Sequence, residues 1–182
     1  MLQEFFTEIE NAKRSLGGAD FWFRGHSESS YTLKPSLYRG ASKNKESKIF
    51  YDYKMLSGPL NRSSISNWEL LIDMQHYGIP TRLLDWTTNL GTALYFAVLN
   101  NPQAPCIWII NPYELNRASI QLGIVIDTSA VGDVPEGDAV DFGVHNLIAK
   151  NNQIEKPFSI WPPHSNRRIA AQRGAFTVHG FS

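Results

Sequence analysis

The chemistry in this chain is concentrated in three short runs. The densest is QHYGIPTRLLDWTT, residues 75–88, which sets His76, Arg82, Asp85, Thr87 and Thr88 around one Leu-Leu pair. Earlier, FWFRG places Arg24 after an aromatic strand and before Gly25. Later, NRRIAAQRGAFTVHG carries Arg167, Arg168, Gln172 and Arg173 into a final apolar run. An arginine at a strand end beside a glycine can lie close to a bound anion, and its planar fork suits phosphate or carboxylate. His76, at a helix C-terminus, sits where the dipole favours imidazolium. Thr87 and Thr88 open a helix whose free N–H groups make an anion site. The expectation is that Arg24, His76, Arg82, Asp85, Thr88 and Gln172 converge on one cleft, because element ends are where rigid scaffolds build sites.

Each of these residues also has a plainer reading. Arg24 could pair with Asp20 or Asp85 and only order a loop. Asp85 could pair with Arg82 or cap the next helix, and His76 could cap the preceding one. Arg173 reads best as part of a solvated basic turn.

Composition narrows the classes. The chain has 182 residues, 42% apolar and 19% charged, which is ordinary for one globular domain. Its 17 basic and 17 acidic residues cancel, so no overall field argues for nucleic acid or an anionic membrane. The single cysteine, Cys106, excludes an intramolecular disulfide and a cysteine-based zinc site, and it suits a reducing, cytoplasmic setting. The N-terminal run mixes charged with apolar residues and is no signal peptide. No apolar run reaches the roughly 20 residues of a membrane span. The five histidines lack zinc-helix spacing, and there is no phosphate-binding glycine loop and no serine-hydrolase elbow.

The elements that must position the three runs follow from periodicity. Leu2, Phe5, Phe6, Ile9 and Leu16 mark an amphipathic helix stopped by Gly17-Gly18. FWF, 21–23, is a short strand, and 26–48 an exposed excursion. A helix over 49–60 ends at Gly58-Pro59. Ser66 and Glu69 have capping-box spacing for a helix that ends at Gly78, with Pro80 beyond. Leu90, Ala93, Leu94, Ala97 and Val98 mark another, starting near 87–89. CIWII, GIVI and FSIW read as strands, 129–153 as weakly patterned, 165–171 as a short helix or turn, and GAFTVHG as a strand. The expected core includes Phe5, Ile9, Phe23, Leu71, Leu84, Leu94, Phe96, Ile109 and Phe176.

The three runs together resemble the FRG domain, named for the triplet found here as Phe23-Arg24-Gly25. The likeness continues through LKPSLYRG (33–40) and MQHYGIPTRLLDWTTNLGTALYFAV (74–98), and closes with RIAAQRGAFTVHG (168–180). It implies a single FRG domain over 1–182, of a kind found mostly in bacteria and their phages. Family members continue past the last strand, so the end at Phe181-Ser182 implies a chain shortened at its C-terminus.

A more distant likeness is to ADP-ribosyltransferases of the Arg-Ser-Glu type. FWFRG is similar to their first element, LLDWTTNLGTALYFA to the second, with Thr87 or Thr88 in the serine region, and AAQRGAFTVHG to the third. That likeness implies an α+β fold, a strongly bent mixed sheet with packed helices, and a nucleotide-sized cleft. It also exposes a departure. Where a Gln-x-Glu pair is expected the chain reads Gln172-Arg173-Gly174, and glycine cannot stabilise an oxocarbenium ion. Two classes of function stand open. One is an NAD-consuming enzyme, a toxin or defence effector, that transfers ADP-ribose or cleaves the glycosidic bond. There Arg24, Gly25, Arg82, Thr87, Thr88 and Gln172 would bind ligand, and His76 or Asp85 would replace the glutamate. The other is a non-catalytic module that binds a nucleotide, nucleic acid or protein through the same cleft. NAD enters as substrate, no tightly bound cofactor or metal is implied, and the acceptor is unassigned.

Overall fold

Short β-branched and aromatic runs at the sheet positions, and capped apolar stripes between them, account for the element order. The computed structural model describes residues 2–40, 42, 45–57, 65–131, 143–148, 154–163 and 167–180. Helix α1 (Leu2–Leu16) buries Ile9 and ends at Gly17 and Gly18, both with positive φ. Strand β1 (Trp22–His26) follows, then a 3-10 turn (Ser36–Tyr38) and α2 (Glu46–Ser57). Helix α3 (Asn67–His76) opens with the expected capping box between Ser66 and Glu69. Its exit is fixed by Gly78, whose φ of +74° an L-residue adopts only with strain. Strand β2 (Leu83–Thr87), α4 (Leu90–Val98), β3 (Cys106–Ile110), α5 (Pro112–Ile120), β4 (Ile126–Asp127), α6 (Val144–Ile148), β5 (Phe158–Trp161), α7 (Arg167–Gln172) and β6 (Gly174–Val178) complete the chain.

The fold is α+β: one mixed six-stranded sheet, in the order β3-β1-β2-β6-β5-β4, with seven α-helices among the described residues. The pairings are antiparallel except β4 with β5. The three runs singled out in the sequence therefore supply three neighbouring strands, β1, β2 and β6. The largest core packs Trp68, Leu71 and Met74 of α3 and Phe50 of α2 against Leu83, Phe158, Ile160, Phe176 and Val178. The opposite face buries Trp22, Leu84, Trp86 and Ala175.

Several expectations are corrected. Strand β1 runs through Arg24 and Gly25 to His26, so Arg24 is inside the strand and not at its end. GIVI contributes only Ile126, in a two-residue strand paired with β5. Helix α2 begins at Glu46, inside the supposed exposed excursion, while Gly58-Pro59 lie outside the described residues. Helix α5, capped by the Asn111 side chain with Pro112 at its first position, was not foreseen. Nor was α6, inside 129–153; the residues flanking it at 132–142 and 149–153 lie outside the described set. Of the expected core, Ile9, Phe23, Leu71, Leu84 and Phe176 are buried. Phe5, Leu94 and Ile109 are half-buried, and Phe96 is exposed. Helix α4 packs through its small residues Ala93 and Ala97, which leaves its larger ones outside.

Candidate functional site

The sheet is not evenly stitched. Strand β1 pairs with β3 from Trp22↔Ile110 to His26↔Cys106, and β2 pairs with β6 from Leu83↔Val178 to Thr87↔Gly174. Between β1 and β2 only Phe23↔Thr87 is in register. Beyond that pair the two strands diverge, and a fork opens in the middle of the sheet. A cavity of about 540 Å³ fills it, walled by β1, β2 and β6, the C-terminal end of α3, one side of α4, and α7. That volume lies within the roughly 300–1,000 Å³ typical of small-molecule sites.

Arg24 spans the fork. Its Nη1 donates to the Asp85 carbonyl at 2.6 Å, an oxygen that a continued β1–β2 ladder would have offered to Gly25. Its Nε donates to His26 Nε2 at 2.9 Å. The Asp85 carboxylate is 3.8 Å from Nη1 and 56% exposed, so the guanidinium is only loosely neutralised. Burial lowers the Arg24 pKa from its ordinary value; Asp85 opposes that shift and Arg39 adds to it. Among the described residues Nη2 makes no hydrogen bond.

Gly25 has a different reason to be glycine from the one the sequence suggested. An ideal Cβ there would overlap the Ala93 carbonyl oxygen and sit 2.6 Å from Ala97 N. The missing side chain lets α4 press its backbone onto β1. It makes room for a helix, not for an anion.

Asp85 faces the other side of the sheet from Arg24, where Gln75 Nε2 of α3 donates to its Oδ2 at 2.8 Å. Thr81 Oγ1 in turn donates to Gln75 Oε1, which fixes the amide's orientation. Among the described residues lining the cavity, Asp85 is the only carboxylate. His76 lines the same wall one position after Gln75.

Thr87 and Thr88 do not offer a free helix N-terminus. The N-cap is Asn89, whose Oδ1 already accepts from Gly91 N and Thr92 N. Thr87 Oγ1 instead donates to the Gln172 carbonyl at 2.7 Å and accepts from Asn89 N. Thr88 N donates to the Arg173 carbonyl, which ties β2 to the start of β6. Thr87 and Gln172 line the cavity; Thr88 does not.

Arg82 is the largest correction. It is fully buried, its Nε donates to Glu46 Oε1 at 2.8 Å and its Nη2 to Oε2 at 2.5 Å. It does not line the cavity. The partner expected for it, Asp85, points elsewhere, and Glu46 comes from the charged run that read as exposed. Arg24, Gly25, His76, Asp85, Thr87 and Gln172 thus meet in the fork, and Arg82 and Thr88 lie outside it.

The lining residues not singled out from the sequence include His26, Tyr31 and Arg39. Extended-strand alternation would have placed His26 on the Arg24 face, had β1 been read three residues longer. Arg39 is held by its Nε, which donates to the Lys34 carbonyl at 2.6 Å. Burial, followed by the nearby Arg24, lowers the His26 pKa, and burial with Arg24 holds His179 at about 4. The two imidazoles are therefore neutral at pH 7, and the fixed positive charge of this half of the fork belongs to Arg24 and Arg39. Among the described residues no group of three or more His, Cys, Asp or Glu could hold a metal ion, and no helix is long and apolar enough to cross a membrane.

No curated protein and no solved structure matches the chain. The model of the FRG-domain family matches residues 19–105, which supply β1, β2 and helices α2 to α4. The Phe-Arg-Gly triplet that forms one wall of the fork lies inside that match.

Proposed function

We propose that the fork binds a nucleotide diphosphate, with NAD as the first candidate, and that Asp85 gives it the means to cleave the nicotinamide–ribose bond. The observation that carries the reading is the splitting of β1 from β2 around Arg24. It places a weakly neutralised guanidinium and the exposed Arg39 on one side of a nucleotide-sized cavity, and a lone carboxylate on the other. Guanidinium forks favour bidentate, charge-assisted bonds to phosphate. Asp85 then stands where a carboxylate can stabilise positive charge on the ribose, the work of the absent glutamate. In the reaction the C1′–N bond breaks with its electron pair going to nicotinamide. Water bonds to C1′, and its proton passes to Asp85 or to solvent. The arrangement of a strand bearing Arg-Gly beside a strand leading into a helix supports an ADP-ribosyltransferase-like fold.

A second reading is favoured by one feature. At the junction of α7 and β6, where a catalytic glutamate would stand, Gly174 instead packs beneath Ile169. A cleft that binds nucleotide without turnover would need nothing more there.

Incubation with NAD, followed by nicotinamide release, separates the two. The enzyme reading expects release that Asp85→Asn lowers by about 100-fold or more, with little change in Tm because the carboxylate is exposed. Thermal stabilisation by NAD without release selects the binding module. Neither stabilisation nor release overturns the nucleotide site.

A further inference from the structure

We propose that His26 is the positioning residue of the fork: its unprotonated Nε2 holds Arg24 by Nε and so orients the guanidinium edge toward the anion. This deepens the nucleotide-site reading and rests on it for the identity of the ligand.

Arg24 and His26 are alternate residues of β1 and project from the same face. The 2.9 Å bond from Arg24 Nε needs a lone pair on His26 Nε2, so the hydrogen of a neutral ring sits on Nδ1. Trp108 Nε1 lies 3.1 Å from Nδ1, and the indole packs edge-on to the imidazole with centroids 6.2 Å apart. A neutral imidazole offers one lone pair, and the Trp108 indole, which donates to Nδ1, competes for it with Arg24 Nε; the shorter, charge-assisted bond from Arg24 assigns the lone pair to Nε2.

The charged and titratable groups facing His26 are Arg24 from its own strand, Arg39 after the 3-10 turn, and Tyr31 from the loop between them; β3 presents Trp108. Both arginines disfavour the imidazolium, as does the burial of the ring, which is 6% exposed. The acceptor is therefore built in and persists at neutral pH.

The geometry divides the guanidinium into parts. Nε is taken by His26 and Nη1 by the Asp85 carbonyl. Only Nη2 and the remaining hydrogen of Nη1 are left for the cavity, and they lie on adjacent nitrogens. Two neighbouring donors on one planar edge match two oxygens of a phosphate. Loss of the His26 acceptor frees the plane to rotate, so the charge stays and the orientation is lost.

The test uses inorganic pyrophosphate and ADP-ribose as probes of the whole chain, with two variants. His26→Gln places a carbonyl oxygen near the Nε2 position and does not titrate. His26→Leu fills similar space with no acceptor. The expected result is affinity kept within about threefold in His26→Gln and lowered on the order of tenfold in His26→Leu, since misorientation of a charged group costs at least that much. A residue that only supports the fold would lower Tm in either variant and leave the affinity of the folded fraction unchanged, which overturns the proposal. The Arg24 Nε–H resonance, with the ring-nitrogen shifts of His26, gives a readout independent of ligand. A slowly exchanging Nε–H bonded to Nε2 in the parent and lost in His26→Leu supports positioning even if neither probe binds; in that event it is the nucleotide reading that fails. A free, fast-exchanging Nε–H, or a hydrogen on Nε2, overturns the positioning role directly.

Discussion

Arg24 and Arg82 come from two of the three motif-bearing runs, and each was a candidate ligand for an anion. The fold gives them opposite work. Arg82 is fully buried and meets a carboxylate with two parallel bonds, in a pair 36 positions apart in sequence. Arg24 is 19% exposed in its side chain, is held by a histidine nitrogen and a backbone carbonyl, and has its nearest carboxylate at 3.8 Å. Neutral acceptors fix a guanidinium without spending its charge, and a buried carboxylate cancels it. The nature of the partners, more than the residue type or its motif, tells an anion site from a staple.

The contrast makes unequal demands on stability. Arg82→Ala should cost most, about 3–5 kcal/mol, because it leaves Glu46 as a buried, unpaired charge. Glu46→Ala should cost a similar amount, and the double replacement Arg82→Met with Glu46→Leu less than either. Chemical denaturation of the three variants checks this. A double variant worse than both singles would mean that the pair does more than neutralise itself.

A pH effect comes next. His179 has its pKa depressed from 6.5 to about 4 by burial and then by Arg24. Its Nε2 is hydrogen-bonded to Thr177 Oγ1 at 3.0 Å, and that hydroxyl accepts from Trp86 Nε1. A depressed histidine binds protons more readily in the unfolded chain. Its stabilising contribution is therefore complete above pH 6.5 and is lost as pH falls toward about 4, at most about 3 kcal/mol. Denaturation between pH 7 and 4.5 should show that slope in the parent. His179→Gln should remove it, and an unchanged slope would assign it to other groups.

Gly25→Ala should destabilise by about 1–3 kcal/mol, since the new methyl meets the backbone of α4 and not a flexible side chain. If the glycine served mainly to admit an anion, the same variant would keep its Tm and lose only ligand.

These sites also show where the sequence was readable. Local signals survived folding: the Ser66–Glu69 capping box, the positive φ of Gly78 and the apolar strand FSIW are decided within a few residues of themselves. The neighbouring placement of β1, β2 and β6 was not given by periodicity. Long-range partnership was not legible. Nothing in SKNKESK separates Glu46, 2% exposed, from the lysines around it. Arg82 could be matched with the nearest acid in sequence, Asp85, but only the fold brings Glu46 to it. Likewise Thr87 and Thr88 looked like a helix start, whereas Asn89 makes the cap because β2 continues through Thr87. The Phe-Arg-Gly triplet was found by motif, but the reason for its glycine appears only when α4 is seen against β1.

The smallest expected change in stability belongs to Arg24, to which the proposed function gives the largest role in binding. Arg24→Lys retains a cation but cannot bridge His26 and the Asp85 carbonyl with a planar fork, and its Tm should stay within a few degrees of the parent. Isothermal titration of ADP-ribose into the parent and into Arg24→Lys tests the central claim most directly. The account predicts saturable binding by the parent and at least a tenfold loss in the lysine variant, with the fold intact by circular dichroism. Equal affinity in the two proteins, or no binding by the parent, would contradict it.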